Sequence, residues 1–499
     1  MKKQRTHQRF LGILLTGFLA GTTAWAAPFE KSVEYRFPDG VTLKVHYEET
    51  VLAAYAAPEN FPSQVLDAAV SAYQTLTQFE GFNTPGYSFA QPDRAYAYDP
   101  DKTIDIYLGS PAGDSAFDAL GARNQMFKDS PCFDTLPMGN GAYQAVVLLP
   151  ANYREFIKNW EKINPSPMGR RNLEVDLRGT LIHEMLHVII FYYNKNLNKA
   201  QGNEASAKDL DWYVEGLARY FETFAGARHD FFSQGFKQRL PDKIRFSRGG
   251  SNYFMRYPDQ PFTQLRYENA LFWRYMDHRF GMESIEALSR HFRTGRFDPK
   301  AALESVTGQP FDELLKDFAF STLEKEFGLK EDAVYLNEIA RTRLRYRDGA
   351  FALLDGEDRE RTLGARVTTD WIGRWEDQKA QHGSASIAGD STDEADVSGW
   401  ATDFIRLELD ARGPRLPRLR LHHEGDGRPL EVQVLCVSKG GAVLRRSWPM
   451  VLSHRFIQMD LDGFVHAHGL DAADIDHLMI LITNTDPSRK AFYSLEAVS

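Results

Sequence analysis

The chain has 499 residues, of which 43% are hydrophobic, 25% charged and 13% aromatic. This is globular composition with material for about two to four domains, and it excludes wholesale disorder and repetitive fibres. Two cysteines exclude a disulfide-dense scaffold and a Cys-rich zinc finger, and a net charge of −9 with no basic stripe argues against nucleic acid as a partner.

The first 26 residues read as a Sec-type secretory signal. Lys2 to Arg9 is the basic region and carries no acid, Phe10 to Ala20 is an apolar run too short to span a bilayer, and Ala24-Trp25-Ala26 is a small-x-small cleavage pattern. The expectation is export to the periplasm or beyond the cell, with no membrane span in the mature chain. A disulfide between Cys132 and Cys436 is allowed there, but Cys436 continues an apolar alternation and reads equally well as a buried free thiol.

Further along, Val33–Phe37 and Val41–Tyr47 flank an Asp39-Gly40 turn, a hairpin signal. Pro62 to Phe79 has helical spacing, Thr103 to Leu108 alternates as a strand, Gly109 to Gly141 reads as a long loop, and Ala142 to Leu149 is a further strand closed by Pro150. That last strand is the expected edge on which an extended chain would pair. From Leu173 the pattern becomes helical, with helices expected over 171–193, 209–225, 266–280, 282–293 and 311–327. Gly281 and Gly328 stand at C-cap positions, and Asp298-Pro299 at an N-cap and N1. Residues 377–398 read as a linker, and several short strands beyond Trp400 predict a small β-sandwich.

One motif carries chemistry. His183-Glu184-Met185-Leu186-His187 lies in a segment with apolar residues on all sides. Histidines four apart share one helix face, with Cβ atoms about 5–6 Å apart, so both imidazoles reach a single metal. Two histidines and a glutamate on a buried helix are costly unless paired or coordinated. A catalytic zinc takes three protein ligands, and Glu215 within Trp212-Tyr213-Val214-Glu215-Gly216-Leu217-Ala218 is the candidate third; Glu222 competes with it.

This H-E-x-x-H followed by W-x-x-E-G-x-A resembles the gluzincin zinc peptidases, above all the aminopeptidase-N-like branch of the peptidase MA-like set. The resemblance covers about 100–285. It implies an α+β, thermolysin-like zincin catalytic domain with an N-terminal mixed sheet and a C-terminal helical part. It implies one Zn2+ held by His183, His187 and Glu215, with Glu184 as general base acting on a peptide or protein substrate. Tyr267, in the Tyr267-Glu268-Asn269-Ala270 helix start, would steady the oxyanion, with Tyr253, Tyr257 and His278 as rivals. No Gly-Ala-Met-Glu-Asn stretch is present, which tilts the expectation from aminopeptidase to endopeptidase. Arg219 stands one turn after Glu215, where some gluzincins carry an acid that orients a histidine. Asp176, Glu222 or a backbone carbonyl is left for that task.

The expected organisation is a signal peptide at 1–26, a catalytic domain at 27–376 (sheet part 27–170, helical part 171–376), a linker at 377–398 and a sandwich at 399–499. The alternative is a catalytically silent binding protein whose sandwich recognises a glycan or a protein partner. Trp400, His422, His423 and Trp448 are its candidate contacts. The same metal site would also serve hydrolysis of a non-peptide bond.

Overall fold

The computed structural model describes residues 29, 31–54, 57–77, 102–109, 132–137, 143–154, 158, 173–193, 211–222, 263, 269–294, 298–323, 342–348, 350–354, 360–364, 366–368, 401–409, 415–424, 430–448, 456–486 and 491–498. The expected signal peptide, Gly328, Tyr253, Tyr257, Tyr267, Trp400 and the expected 377–398 linker lie outside the described residues, as does the side chain of Asp176. The architecture is mixed, with three sheets and nine α-helices among the described residues.

Strands β1 (Lys31–Arg36) and β2 (Thr42–Tyr47) form the expected antiparallel hairpin. Gly40 turns it with φ 89°, a conformation that side chains with a Cβ avoid. Asp39 accepts from the Val41 amide at 3.0 Å and from the Tyr73 hydroxyl at 2.9 Å. The second bond ties the turn to helix α2 (Phe61–Thr77), which follows α1 (Glu49–Ala54). Val65, Ala69, Ala72, Tyr73 and Leu76 recur at three- and four-residue intervals and form the buried face of α2.

Strand β3 (Thr103–Gly109) runs parallel to β2, and β5 (Tyr143–Pro150) runs parallel to β3. The stretch expected to be loop contains a further strand, β4 (Cys132–Pro137), antiparallel to β5. The sheet order is β1-β2-β3-β5-β4. This corrects the substrate-edge expectation: β5 is bonded on both sides and β4 is the edge. Cys-Phe-Asp-Thr-Leu-Pro has weak strand propensity and ends in proline, which a sheet tolerates at such an outer position.

Helix α3 (Leu173–Tyr193) packs against α2, β4 and β5. Every residue from Leu181 to Ile190 is buried. Four of the helices after it are α4 (Asp211–Tyr220), α5 (Ala270–Phe280), α6 (Met282–Thr294) and α7 (Pro299–Thr307), and α8 (Phe311–Leu323) closes the run. Gly281 ends α5 with φ 80°, as expected of a C-cap, and the Asp298 side chain caps α7 by accepting from the Ala301 amide.

The C-terminal part is two sheets. Strands β6 (Thr342–Arg347), β7 (Ala350–Leu354), β8 (Glu360–Gly364) and β9 (Arg366–Thr368) precede β10 (Ala401–Leu409), β11 (Arg418–Glu424), β12 (Glu431–Ser438), β13 (Val443–Trp448) and β14 (Phe456–Asp460). A short helix α9 (Leu461–His466) leads to β15 (Ile475–Asn484) and β16 (Phe492–Val498). The orders are β13-β12-β15-β10-β6-β7-β8 and β14-β11-β16-β9.

The helical character expected of residues 342–368 is therefore corrected. Residues 342–368, placed with the helices on sequence, are strands of these two sheets: β6 pairs in parallel with β10, and β9 pairs with β16. Their Arg-rich alternation hides the reason, because Arg343 and Arg345 reach across to one carboxylate. Glu408 accepts from Arg343 at 2.6 Å and from Arg345 at 2.9 Å, and Arg345 also bonds Glu360 on β8.

Burial works to raise the Glu408 carboxyl, but the Arg343 and Arg345 bonds outweigh it and hold it below its ordinary range. Glu408→Gln should therefore cost about 1–2 kcal/mol at neutral pH, between the values for exposed and buried pairs. A depressed folded pKa gives stability that is present above the unfolded value of about 4.3 and lost as pH falls through the folded one. Denaturant titrations should show a constant gap to wild type above about pH 5 that closes on acidification. A gap independent of pH would refute the ion-pair account.

Candidate metal centre

The two imidazoles project from one face of α3, with ring centroids 4.8 Å apart and planes at 80°. Helix α4 packs beside α3 and brings Glu215 to them. Glu215 Oε2 lies 3.3 Å from His183 Nε2 and 3.6 Å from His187 Nε2. One ligand atom from each of these three residues lies within 4.8 Å of the others, a grouping able to hold a metal ion. His183, Glu184 and His187 are all buried.

Packing against α5 fixes where α4 lies. The indoles of Trp212 and Trp273 stack at 5.5 Å and 9°, and Trp273 Nε1 donates to the Trp212 carbonyl. At the other end of α4 the buried Tyr220 hydroxyl donates to Asp277 at 2.8 Å. Glu215 sits between these two anchors, so its backbone is located by aromatic burial.

Glu222 is not a member of the triad. Past Tyr220 the helix widens into a π turn at 221–222. Glu222 Oε2 lies there 3.3 Å from His183 Nδ1 and 2.7 Å from Arg219 Nη1. Of the three sources considered for orienting a histidine, the structure places Glu222 at His183. Arg219, where an acid was looked for, is that glutamate's partner. With Nδ1 facing Glu222, Nε2 is the ring nitrogen turned toward Glu215. The spacing of seven residues between Glu215 and Glu222 was the available signal, since it keeps both on one helix face.

Electrostatically the site is rich in carboxylates. Burial acts to lower the His183 pKa, but bonds to Glu215 and Glu222 outweigh it and raise it to about 9. Burial acts to raise Glu215, but the His187 charge and bonds from both histidines leave its carboxyl well below the ordinary value. Glu184 is pushed upward, chiefly by burial. Among the described residues Glu184, Glu215 and Glu222 gather here, with the Arg219 guanidinium on Glu222, and such a site favours a cation.

The other candidates are placed differently. His278 is on the exposed side of α5. In the sandwich, Trp448 and His423 are buried, so these two are corrected from contact candidates to interior residues. His422 is half-buried and bonds Glu496 at 2.8 Å. Cys132 and Cys436 are both buried, and burial pushes the Cys436 thiol up to about 12. Among the described residues no helix is long and apolar enough to cross a membrane. No protein-family model matches the chain, and no curated protein matches it at a significant level.

Proposed function

We propose that the protein is an exported zinc-dependent peptidase of the gluzincin type, cutting peptide bonds and favouring internal over amino-terminal cuts. The observation that carries this reading is the convergence of His183, His187 and Glu215 with Glu184 beside them on α3. Two nitrogens and one carboxylate oxygen are a zinc donor set. Donors on a tetrahedral zinc stand about 3.4 Å apart, given bonds of about 2.0–2.2 Å. The separations of 3.3 and 3.6 Å from Glu215 fit that edge.

When bound, zinc supplies Lewis acidity, polarising a carbonyl and lowering the pKa of water. Glu184 accepts the proton of the attacking water and passes it to the leaving nitrogen. Burial raises its carboxyl pKa, which makes it a stronger base than an exposed carboxylate. Glu222, gripped by Arg219, keeps His183 in the tautomer that offers Nε2. Strand β4, outermost in its sheet among the described residues, would offer backbone groups to an extended substrate close to α3. Tyr267 is retained as the oxyanion partner on the family resemblance. The zincin-type arrangement is proposed on the same ground, supported by a mixed sheet with an antiparallel edge strand packed on the helix that bears the motif.

The test is to incubate the protein with an unbiased peptide mixture and map the cuts by mass spectrometry, with Glu184→Gln alongside. Internal cuts made only by wild type support the reading. Loss of residues only from amino ends would make it an aminopeptidase, and no cuts from zinc-loaded protein would overturn it. Glu222→Ala should weaken zinc binding by about 10–100-fold without removing a ligand, read by competition with a chromophoric chelator. Unchanged affinity would remove Glu222 from the scheme.

A further inference from the structure

The C-terminal sandwich is not tethered loosely to the helices. Phe404, Leu435, Met479 and Leu481 lie on the face of the seven-stranded sheet turned away from the sandwich interior, and they join the same apolar cluster as α3, α4, α5 and α8. On that seam one carboxylate gathers partners from two elements. Asp317 on α8 accepts from the Tyr275 hydroxyl at 2.9 Å and from Arg279 at 3.0 and 3.2 Å, both on α5. Arg445 on edge strand β13 approaches it at 3.6 Å while its guanidinium lies 3.7 Å from the Phe320 ring centroid.

Helix α5 is therefore held at two sets of side chains. Tyr275 and Arg279 fasten it to Asp317 and so to the sandwich, and Asp277 fastens it to Tyr220 on the helix that carries Glu215. We propose that the sandwich buttresses the metal centre, with Asp317 as a positioning residue that transmits the placement of β13 through α5 to α4. This rests on the metal reading above, and it gives the sandwich a task that requires no partner. Helix α4 is bonded to α5 at Trp212 and at Tyr220, so displacing α5 by loss of its Asp317 contacts lowers the population of the assembled triad.

The experiment uses the full chain with Arg445→Ala, Asp317→Asn and Asp317→Ala, and Glu408→Gln as a control elsewhere in the sandwich. Zinc dissociation constants are measured by chelator competition below the melting range of every variant. Amide exchange across α4 is followed by mass spectrometry in the metal-free state. The expected result is zinc binding weaker by about 3–10-fold in the Asp317 variants, less in Arg445→Ala, and unchanged in Glu408→Gln. Exchange over 215–220 should quicken in the first three variants alone. Adding Arg445→Ala to Asp317→Ala should change little further, as expected of residues that act through one contact.

Lower melting temperatures with unchanged zinc affinity and unchanged α4 exchange would overturn the proposal and leave Asp317 a purely structural residue. If wild type bound no zinc, the metal reading would fail, and α4 exchange would still decide whether the sandwich steadies that helix.

Discussion

Replacing Glu184 with Gln is expected to leave one zinc bound per chain and to lower peptide hydrolysis by about 10²–10⁴-fold, the usual worth of a positioned general base. The amide is nearly isosteric with the carboxylate, so the packing of α3 around it survives. Glu184 is buried beside the ligands without being one of the three that converge, so its loss does not open the triad. What disappears is the negative charge and with it a lone pair basic enough to take a proton. The decisive pair of measurements is metal content and turnover on the same sample. Full turnover with zinc bound would refute the mechanism, whereas loss of both would make Glu184 a ligand or a folding residue instead.

Glu215→Ala should do the reverse and act on the metal first. Glu215 stands within 3.3 and 3.6 Å of the two histidine nitrogens, and its carboxylate supplies the one anionic donor of the set. Removing it leaves two imidazoles, and zinc affinity should fall by more than the roughly 100-fold upper range for residues that only orient a ligand. The variant should remain folded, because the anchors of α4 are Trp212 against Trp273 and Tyr220 with Asp277, none of which Glu215 touches in these bonds. Metal analysis after dialysis, with a far-ultraviolet spectrum as a check on folding, tests both halves. Retained zinc would move the third ligand elsewhere, with the Glu222 carboxylate as near to His183 as that of Glu215, at 3.3 Å.

These two substitutions separate binding from chemistry, and a metal centre used only for structure or recognition gives a different pattern. In that case Glu215→Ala would still release metal, while Glu184→Gln would change nothing measurable. The buried placement of Trp448 and His423 weakens the rival in which the sandwich recognises a partner through those residues.

The motif on α3 and the candidacy of Glu215 beside it were legible in the chain because helix periodicity converts sequence spacing directly into a shared face, and because an unbroken apolar context around charged residues has few explanations. The first hairpin was legible for a similar reason: Asp39-Gly40 has little choice of backbone conformation. Strand β4 was not legible, since Asp134 and Pro137 are poor strand formers and their pairing with β5 supplies the stability that propensity does not. Strands β6 to β9 were misplaced because sequence proximity favoured the helices, while the bonds from Arg343 and Arg345 to Glu408 span more than 60 positions.

By itself, then, the sequence determined local matters: which segments coil, where they stop, and which three side chains have the chemistry to hold a metal. Tertiary structure decided which carboxylate goes to which nitrogen. Glu215 and Glu222 lie on one face of one helix. Only the packing of α4 against α3 and α5, with the π turn after Tyr220, directs the first to the shared side of both imidazoles and the second to His183 Nδ1. It likewise decided that the sandwich leans on the helices through Asp317, because an ion pair between distant segments is set by the fold and leaves no periodic trace in the chain.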